Sequence, residues 1–253
     1  REQSMLRSAI ASLLCTAALG AVAEPLRLGG DDWCPYLCPE TPNKPGYLVE
    51  GLRHLLPEPP EVQSLPWSRA LQMARDGQLD GVIGAYAEEA EGLLIGREPI
   101  GWVEMRFYTR ADSAWQYRGP ASLDSLKIGL VQGYSYGPQL DAWRDSHLDA
   151  PEQVQVLSGE RVLERNLQKL LLGRIDVLVE DHRIVDRYLH RQHLDKQVRS
   201  AGGLPHKRPM YVALSPHLKD AAARLEALDQ GLRRMRESGA WEPLMRGYLV
   251  SVD

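Results

Sequence analysis

The sequence has no apolar run of the roughly 18 residues that a membrane-spanning helix needs. It also has no excess of positive charge, because 30 lysines and arginines stand against 34 aspartates and glutamates and give a formal net charge of −4. The basic residues are scattered along the chain, so we expect no nucleic-acid-binding surface. These absences argue against a membrane-spanning core and against a protein that binds DNA or RNA.

Motifs for catalysis and for cofactors are missing as well. No Ser/His/Asp constellation, metal-ligand spacing or nucleotide-binding loop occurs, and the seven histidines are scattered. These absences favour a binding protein over an enzyme, and they predict neither a metal nor a cofactor.

Residues 1–23 have the pattern of an export signal. Arg7 supplies the positive charge, residues 9–18 form a short apolar stretch, and Ala-Val-Ala at 21–23 matches a cleavage site. Residues 1–4 are expected to be upstream additions. We therefore predict cleavage of a Sec signal peptide and a mature chain in the periplasm; an uncleaved anchor and a lipid attachment are the alternatives.

Three cysteines occur, and Cys15 falls within the predicted signal, which leaves Cys34 and Cys38. An even pair in an exported protein predicts a disulfide, here one that closes the small loop after Trp33. A redox pair and half of a metal site are the alternatives. The spacing differs from the two-residue redox motif, and no second cysteine pair or histidine cluster lies nearby in the sequence.

One pattern occurs twice: an amphipathic helix, a glycine, two residues, an aspartate and a short apolar strand. The first copy places Gly77 before Asp80, and the second places Gly173 before Asp176. Glycine suits the positive φ at a helix C-terminus, and apolar runs rich in β-branched residues are typical of buried parallel strands. The repeat predicts an α/β protein with two similar lobes, whose mixed or parallel sheets are flanked by helices and face one ligand cleft. Both aspartates are expected to cap turns, away from the ligand edge.

Two crossings between the lobes are predicted. An alternating aromatic segment at 103–110 suits a strand that leaves the first lobe, and Gly202 and Gly203 mark the return. Lobe 1 is therefore expected to contain residues 24–108 and 209–253, and lobe 2 residues 109–208.

Candidate ligand-binding residues lie in loops and at strand ends, where ligands gather in open α/β sheets. The aromatic ones are Trp33, Tyr36, Trp67, Tyr86, Tyr134 and Tyr136. Together with Asp32 and Asp181 they would suit a cationic or amino-bearing ligand. Packing in the core or at the hinge is the alternative for each aromatic residue, and Glu180 is expected to face solvent or form a salt bridge.

A glycine-bounded turn at 133–137 precedes a helix that begins at Pro138. Its backbone N–H groups and the hydroxyl of Ser135 would favour an anionic ligand group. A plain strand-to-helix turn is the alternative.

The order of these parts resembles the type II periplasmic solute-binding family, in its amino-acid-type branch. The segments that carry the resemblance are 26–36, 71–84, 170–181 and 239–249. It implies the two-lobed periplasmic-binding-protein fold, with Asp181 receiving a ligand amino group and the turn at 133–137 holding its anionic end.

The sequence departs from this family at the ligand carboxylate. Amino-acid binders carry Thr-x-x-Arg after the strand that leads to Tyr86, whereas this chain has Ala87 and Ala90 at the aligned positions. An arginine there would form a bidentate clamp on a carboxylate. The chain is therefore expected to belong to an atypical subgroup, with Arg69 or Arg106 as possible substitutes from another direction.

The expected function is the binding of a small polar, amino-bearing solute by closure of the two lobes. The partner would be a membrane permease of the ABC type or a membrane sensor, and the chain is expected to be a monomer. A periplasmic dehydratase resembling this fold is a lesser alternative, with His182 as its suspected residue.

Overall fold

The computed structural model describes residues 24–249, so the predicted signal at 1–23 lies outside the described residues. Within 24–249, no helix is long and apolar enough to cross a membrane. The strands are β1 (Arg27–Gly30), β2 (Glu61–Ser64), β3 (Gly81–Ala85), β4 (Leu94–Ile95), β5 (Gly101–Val103), β6 (Met105–Arg110), β7 (Ile128–Val131), β8 (Val154–Leu157), β9 (Val177–Asp181), β10 (Val198–Gly203) and β11 (Arg208–Leu214). The helices are α1 (Tyr47–Leu55), α2 (Trp67–Arg75), α3 (Pro138–Asp145), α4 (Val162–Leu171), α5 (His182–Arg191), α6 (Ala221–Glu237) and α7 (Trp241–Leu249), with a 3-10 turn at Pro120–Leu123.

These elements form two sheets with the same internal order. The first sheet runs β2-β1-β3-β11-β4, with β5 also paired to β11, and the second runs β8-β7-β9-β6-β10. In each sheet the first three strands are parallel and the strand beside them is antiparallel. The fold is therefore a two-lobed α/β structure with mixed sheets, as the repeat in the sequence predicted.

The two copies of the repeat make the same contacts. Gly77 and Gly173 have positive φ values of 72° and 68°, which residues with a Cβ rarely adopt. Asp80 accepts a hydrogen bond from the N–H of Arg27 at 2.8 Å, and Asp176 accepts one from the N–H of Lys127 at 2.9 Å. Each aspartate thus fixes the start of the neighbouring parallel strand, far from the carboxyl edge where ligands bind.

Close packing of helix on strand also recurs at equivalent places. A Cβ on Gly29 would lie 2.8 Å from a methyl group of Leu79, and a Cβ on Gly129 would lie 2.7 Å from a methyl group of Ile175. Real Cβ atoms do not approach that closely, so glycine is required for Leu79 and Ile175, the residues before Asp80 and Asp176, to pack on the strand. In lobe 1 this packing also seats α2 through Ala70, which fixes the helix that begins at Trp67.

The lobes are joined at Glu104 and at residues 204–207. The predicted crossing strand is divided there, because β5 pairs with β11 in the first sheet whereas β6 pairs with β9 and β10 in the second. The change from the first sheet to the second therefore falls at Glu104, within the segment at 103–110 for which a crossing was expected. On the return path Leu204 donates a hydrogen bond to the carbonyl of Met105 at 3.0 Å, so the two connections run side by side.

Candidate functional site

The carboxyl ends of β1, β3 and β7 meet between the lobes and enclose a small cavity, which we call the inner cavity. Ligands gather at this edge in open α/β sheets. Its volume is about 30 Å³, and it is lined by Asp31, Trp33, Leu37, Leu48, Trp67, Ile83, Gly84, Tyr86, Glu89 and Tyr134. Tyr134 comes from lobe 2 and the other residues from lobe 1, so lobe 2 closes one side of a cavity that lobe 1 otherwise forms.

Four aromatic side chains form the walls of the inner cavity, and all four were predicted as ligand-binding candidates. Trp33, Trp67 and Tyr86 come from lobe 1, and Tyr134 meets Trp33 edge-on across the cleft at 6.4 Å between ring centroids. The indole N–H of Trp67 and the hydroxyl of Tyr86 are buried and have no hydrogen-bond partner among the residues that the structure describes. Buried polar groups are normally paired, so these two are available to a ligand.

The loop after β1 is held by the predicted disulfide between Cys34 and Cys38. Within it, the backbone N–H and carbonyl of Trp33 both bond to Leu37, at 3.0 and 3.1 Å. Trp33 also stacks on Tyr36 with 4.6 Å between ring centroids. Tyr36 itself does not line either cavity: it is fully buried, and its hydroxyl accepts a hydrogen bond from Arg183 at 3.0 Å. It therefore supports Trp33 from behind.

Three carboxyl groups lie at this interface: Glu89 and Glu180 are buried and Asp31 is half-buried. Burial raises the pKa of Asp31 to about 6, that of Glu89 to about 7 and that of Glu180 to about 8. Removal from water penalises the ionised form of a carboxyl group, and this effect outweighs the hydrogen bonds that these groups accept. A positive charge placed beside these groups would favour their ionised forms.

Each of these carboxyl groups makes a hydrogen bond across the cleft. Asp31 accepts one from the hydroxyl of Tyr134 at 3.1 Å, and Glu180 accepts one from the indole N–H of Trp33 at 3.1 Å. Glu89 accepts one from the backbone N–H of Ser135 at 2.7 Å. The three bonds hold the lobes in a closed arrangement.

Arg208, at the start of β11, makes a further contact between the lobes. Its guanidinium lies 3.8 Å from the ring centroid of Tyr86 and donates to both the carbonyl and the hydroxyl of Ser135. It also forms an ion pair with Glu88 at 3.1 Å. Arg208 is thus fully engaged outside the cavity, and its charge partly offsets that of Glu89.

The turn at 133–137 does not present a free set of N–H groups. The N–H of Ser135 donates to Glu89, and that of Tyr136 donates to Asp141 at 2.9 Å. The hydroxyl of Tyr136 accepts from the N–H of Val131 at 2.9 Å, which folds this ring under the turn and away from the cavity. Carboxylates of the protein itself occupy the donors that the sequence had suggested for a ligand anion.

A second and wider space, which we call the outer cleft, lies on the other side of Asp31, Trp33 and Tyr134. Its volume is about 470 Å³. The charged residues that line it are Asp31, Asp32, Glu40, Arg161, Glu164, Glu180, Arg187 and Arg191. Asp32, a predicted site residue, faces this outer cleft rather than the inner cavity, and burial raises its pKa.

Neither of the two acidic residues at the end of β9 has the surroundings expected for it. Asp181 is fully buried and lines neither cavity; it caps α5 by accepting from the N–H of Arg183 at 2.9 Å and also accepts from the N–H of Glu104 at 2.8 Å. Aspartate is among the preferred residues at a helix N-cap. Glu180, which we had expected in solvent or a salt bridge, is instead buried beside Trp33.

Neither predicted substitute for the carboxylate clamp reaches the cavities. Arg69 is exposed on α2, and Arg106 is bound to Glu104 at 2.6 Å on the surface of β6. Arg208 and Arg183 are cations at the interface, and the sequence indicated neither. Across residues 24–249, no three histidine, cysteine or acidic side chains are grouped as a metal ion would require, so the buried carboxyl groups do not form a metal centre.

No family model matches the sequence, and no curated protein matches it. Solved structures do match. An ancestral arginine-binding protein bound to arginine superposes with a TM-score of 0.73 at 16% identity, covering 90% of this chain and 99% of the other. A histidine kinase sensor domain with similarity to periplasmic binding proteins also has a TM-score of 0.73, at 18% identity and 90% and 97% coverage.

A third match is an arginine-, lysine-, histidine-binding protein from the thermophilic bacterium Geobacillus stearothermophilus. It superposes with a TM-score of 0.70 at 13% identity, covering 90% of this chain and 96% of the other. At such low identities the likeness concerns the fold. The chain thus has the two-lobed type II periplasmic-binding-protein fold that its sequence resembled.

Proposed function

We propose that this protein binds a small organic cation, one bearing an amino or a substituted ammonium group, by closing its two lobes over it. The observation that carries this proposal is the inner cavity, where four aromatic rings surround Asp31 and Glu89. Aromatic faces attract cations through the ring quadrupole, and a desolvated cation–π contact contributes about 2 kcal/mol. None of the residues lining this cavity is positively charged.

The state of the carboxyl groups supports a cationic ligand over a neutral one. Glu89 and Asp31 both line the cavity, and their pKa values are raised. Their ionised forms therefore have no compensating positive charge inside the cavity. A ligand cation would provide that charge and pair with the ionised groups. Two unpartnered groups could bond to polar groups of the ligand. The indole N–H of Trp67 can donate a hydrogen bond, and the hydroxyl of Tyr86 can donate or accept one.

Lobe closure is the proposed response to binding. At about 30 Å³ the cavity has room for little more than one or two water molecules, so the ligand would bind with Trp33 and Tyr134 moved apart, in a space continuous with the outer cleft. Contacts with both lobes would still favour a closed form over the open form and shift the population toward closure. The short connections at Glu104 and at 204–207 are the hinges of this motion.

We infer a binding role outside the cytoplasm rather than catalysis, with the mature chain acting as a monomer. Delivery of the ligand to an ABC-type permease and reporting of occupancy to a membrane sensor both fit a closed two-lobed form. The matched structures include named amino-acid-binding proteins and a sensor domain, so the fold accommodates either role. Gene neighbourhood separates the two roles, because a permease and an ATPase favour uptake and a sensor kinase favours signalling.

A thermal-shift screen of amines, quaternary ammonium compounds, polyamines, amino acids and organic acids tests the proposal. A cationic ligand should raise the Tm in proportion to the logarithm of its concentration above the Kd. Asp31→Asn should weaken the response, whereas Asp149→Asn, at an exposed position, should leave it unchanged. Absence of any cationic hit, or a response only to neutral or anionic compounds, would refute the proposal.

A further inference from the structure

The side chain of Glu89 occupies the position from which the turn at 133–137 would otherwise bind an anion. One carboxylate oxygen of Glu89 accepts from the N–H of Ser135 at 2.7 Å, and the other accepts from the N–H of Tyr86 at 3.2 Å. Backbone N–H groups in a glycine-bounded turn ahead of a helix are typical anion donors. Here the anion they hold belongs to lobe 1 of the protein.

On the basis of the proposed function, we propose that the site selects organic cations that have no carboxylate beside the charged nitrogen, because Glu89 supplies that carboxylate from within the protein. The preferred ligands are then amines rather than the amino acids from which they differ by one carboxyl group.

The remaining groups near the cavity support this selection. A ligand carboxylate in the inner cavity would lie between Asp31 and Glu89, and no lining residue carries a positive charge to receive it. Arg208 stacks on Tyr86, but it is occupied by Ser135 and Glu88 and does not line the cavity. Ala87 and Ala90 provide no donor side chain in this loop.

Displacement of Glu89 by a ligand carboxylate would also be costly. The side chain is 8% exposed, and it would have to leave two backbone N–H groups for a position inside the cleft. A second carboxylate could gain those donors only by leaving Glu89 buried without them, and burial of an unpaired charge is strongly unfavourable. Rejection of the amino acid therefore arises from repulsion as well as from the absence of a clamp.

The test compares amines with their parent amino acids: agmatine with L-arginine, cadaverine with L-lysine, histamine with L-histidine and tyramine with L-tyrosine. Calorimetric titration of the mature protein at pH 7.5 should give, for any pair that binds, an affinity at least about 100-fold higher for the amine. Glu89→Ala should reduce this ratio to less than about 10-fold by freeing the N–H of Ser135. Glu91→Ala, in the same loop but exposed, is the matched control and should keep the ratio.

The outcomes separate this inference from the proposed function. Equal or tighter binding of the amino acid by the unaltered protein overturns the selection against carboxylates and leaves cation binding intact. Absence of binding by every amine, substituted ammonium compound and amino acid overturns both. If Glu89→Ala fails to fold, the ratio measured with the unaltered protein still decides, and Glu89→Gln provides the second variant, for which the ratio should also fall.

Discussion

Raising the pH in the absence of ligand is expected to open the lobes, because it ionises carboxyl groups that the closed form buries. Glu89 has a pKa of about 7 in the closed form against 4.5 for the exposed group. The closed form therefore holds the proton more tightly than the open form does. Its advantage is complete below pH 4.5, declines as the pH rises toward 7 and is lost above that value.

The expected size follows from the same values. A rise from 4.5 to about 7 corresponds to about 3 kcal/mol, or a factor of about 300 in the ratio of closed to open molecules. The pKa of Glu180 is raised to about 8, so its ionisation also favours opening and extends the pH range of the transition to about 8. Asp31, with a pKa of about 6, contributes within the same window. Because the three groups share one interface, their effects need not add.

Small-angle X-ray scattering of the ligand-free protein between pH 5 and 9 measures this opening as an increase in the radius of gyration. Glu89→Gln should flatten the lower part of the transition, since the amide does not ionise. Glu91→Gln removes an exposed glutamate of the same loop and should preserve the transition. A radius that stays constant over the whole range, or that falls as the pH rises, would refute the argument.

Four further substitutions test the structural roles of three aspartates and of the disulfide. Asp80→Ala and Asp176→Ala should each lower the free energy of unfolding by about 1–2 kcal/mol, because a backbone N–H at the start of a strand loses its acceptor. Urea unfolding measures this loss. The control, Asp149→Ala, should change the free energy of unfolding by less than about 0.5 kcal/mol. Asp181→Ala should lower the free energy of unfolding by ~1–2 kcal/mol through loss of the N-cap. Its affinity for the cation should fall less than that of Asp31→Asn. A larger loss of affinity would place Asp181 in the binding site. Cys34→Ser should cost about 2 kcal/mol for a loop this short and weaken cation binding through Trp33, and an unchanged affinity would show that the loop keeps its shape without the disulfide.

The arrangement of the two lobes could be predicted because it depends on local patterns that occur twice. The glycines at 77 and 173, each followed by an aspartate and an apolar strand, specify both the turn and the strand start. Strands β8 and β10 were not predicted. Of the residues in β8, Val156 is exposed and only Val154 is buried, so this strand has little of the apolar pattern on which such a prediction depends.

Some features of the site could also be predicted from the spacing of residues in the sequence. In α2 the buried residues are Trp67, Ala70, Leu71 and Ala74, a helical spacing that leaves Arg69 on the outer face. Glu104 and Arg106 are two residues apart along an extended chain, so they share a face and pair with each other. An aspartate immediately before a helix is a common N-cap, which accounts for the role of Asp181. Glu180, its neighbour in β9, is then the acidic residue to expect at the site.

The roles of Glu89 and Arg208 could not be obtained in this way. Glu89 lies in a loop with two other glutamates, and such a sequence is typical of a solvated surface. It is buried only because the turn at 133–137 of the other lobe covers it, a contact between residues 46 positions apart. Arg208 depends on the same approach of the lobes, since its partner Ser135 lies 73 positions away. Contacts of this kind follow from the closed tertiary structure and not from local pattern.

The central claim is that a ligand cation pairs with carboxyl groups that the closed, ligand-free protein keeps protonated. Calorimetric titration of the best amine at pH 6, in buffers with different ionisation enthalpies, measures the protons exchanged on binding. We predict release of about one proton for each cation bound, because the ligand lowers the pKa values of Glu89 and Asp31, which line the inner cavity, and a smaller release for Glu89→Gln. Heats that do not depend on the buffer, or a net uptake of protons, would contradict the account.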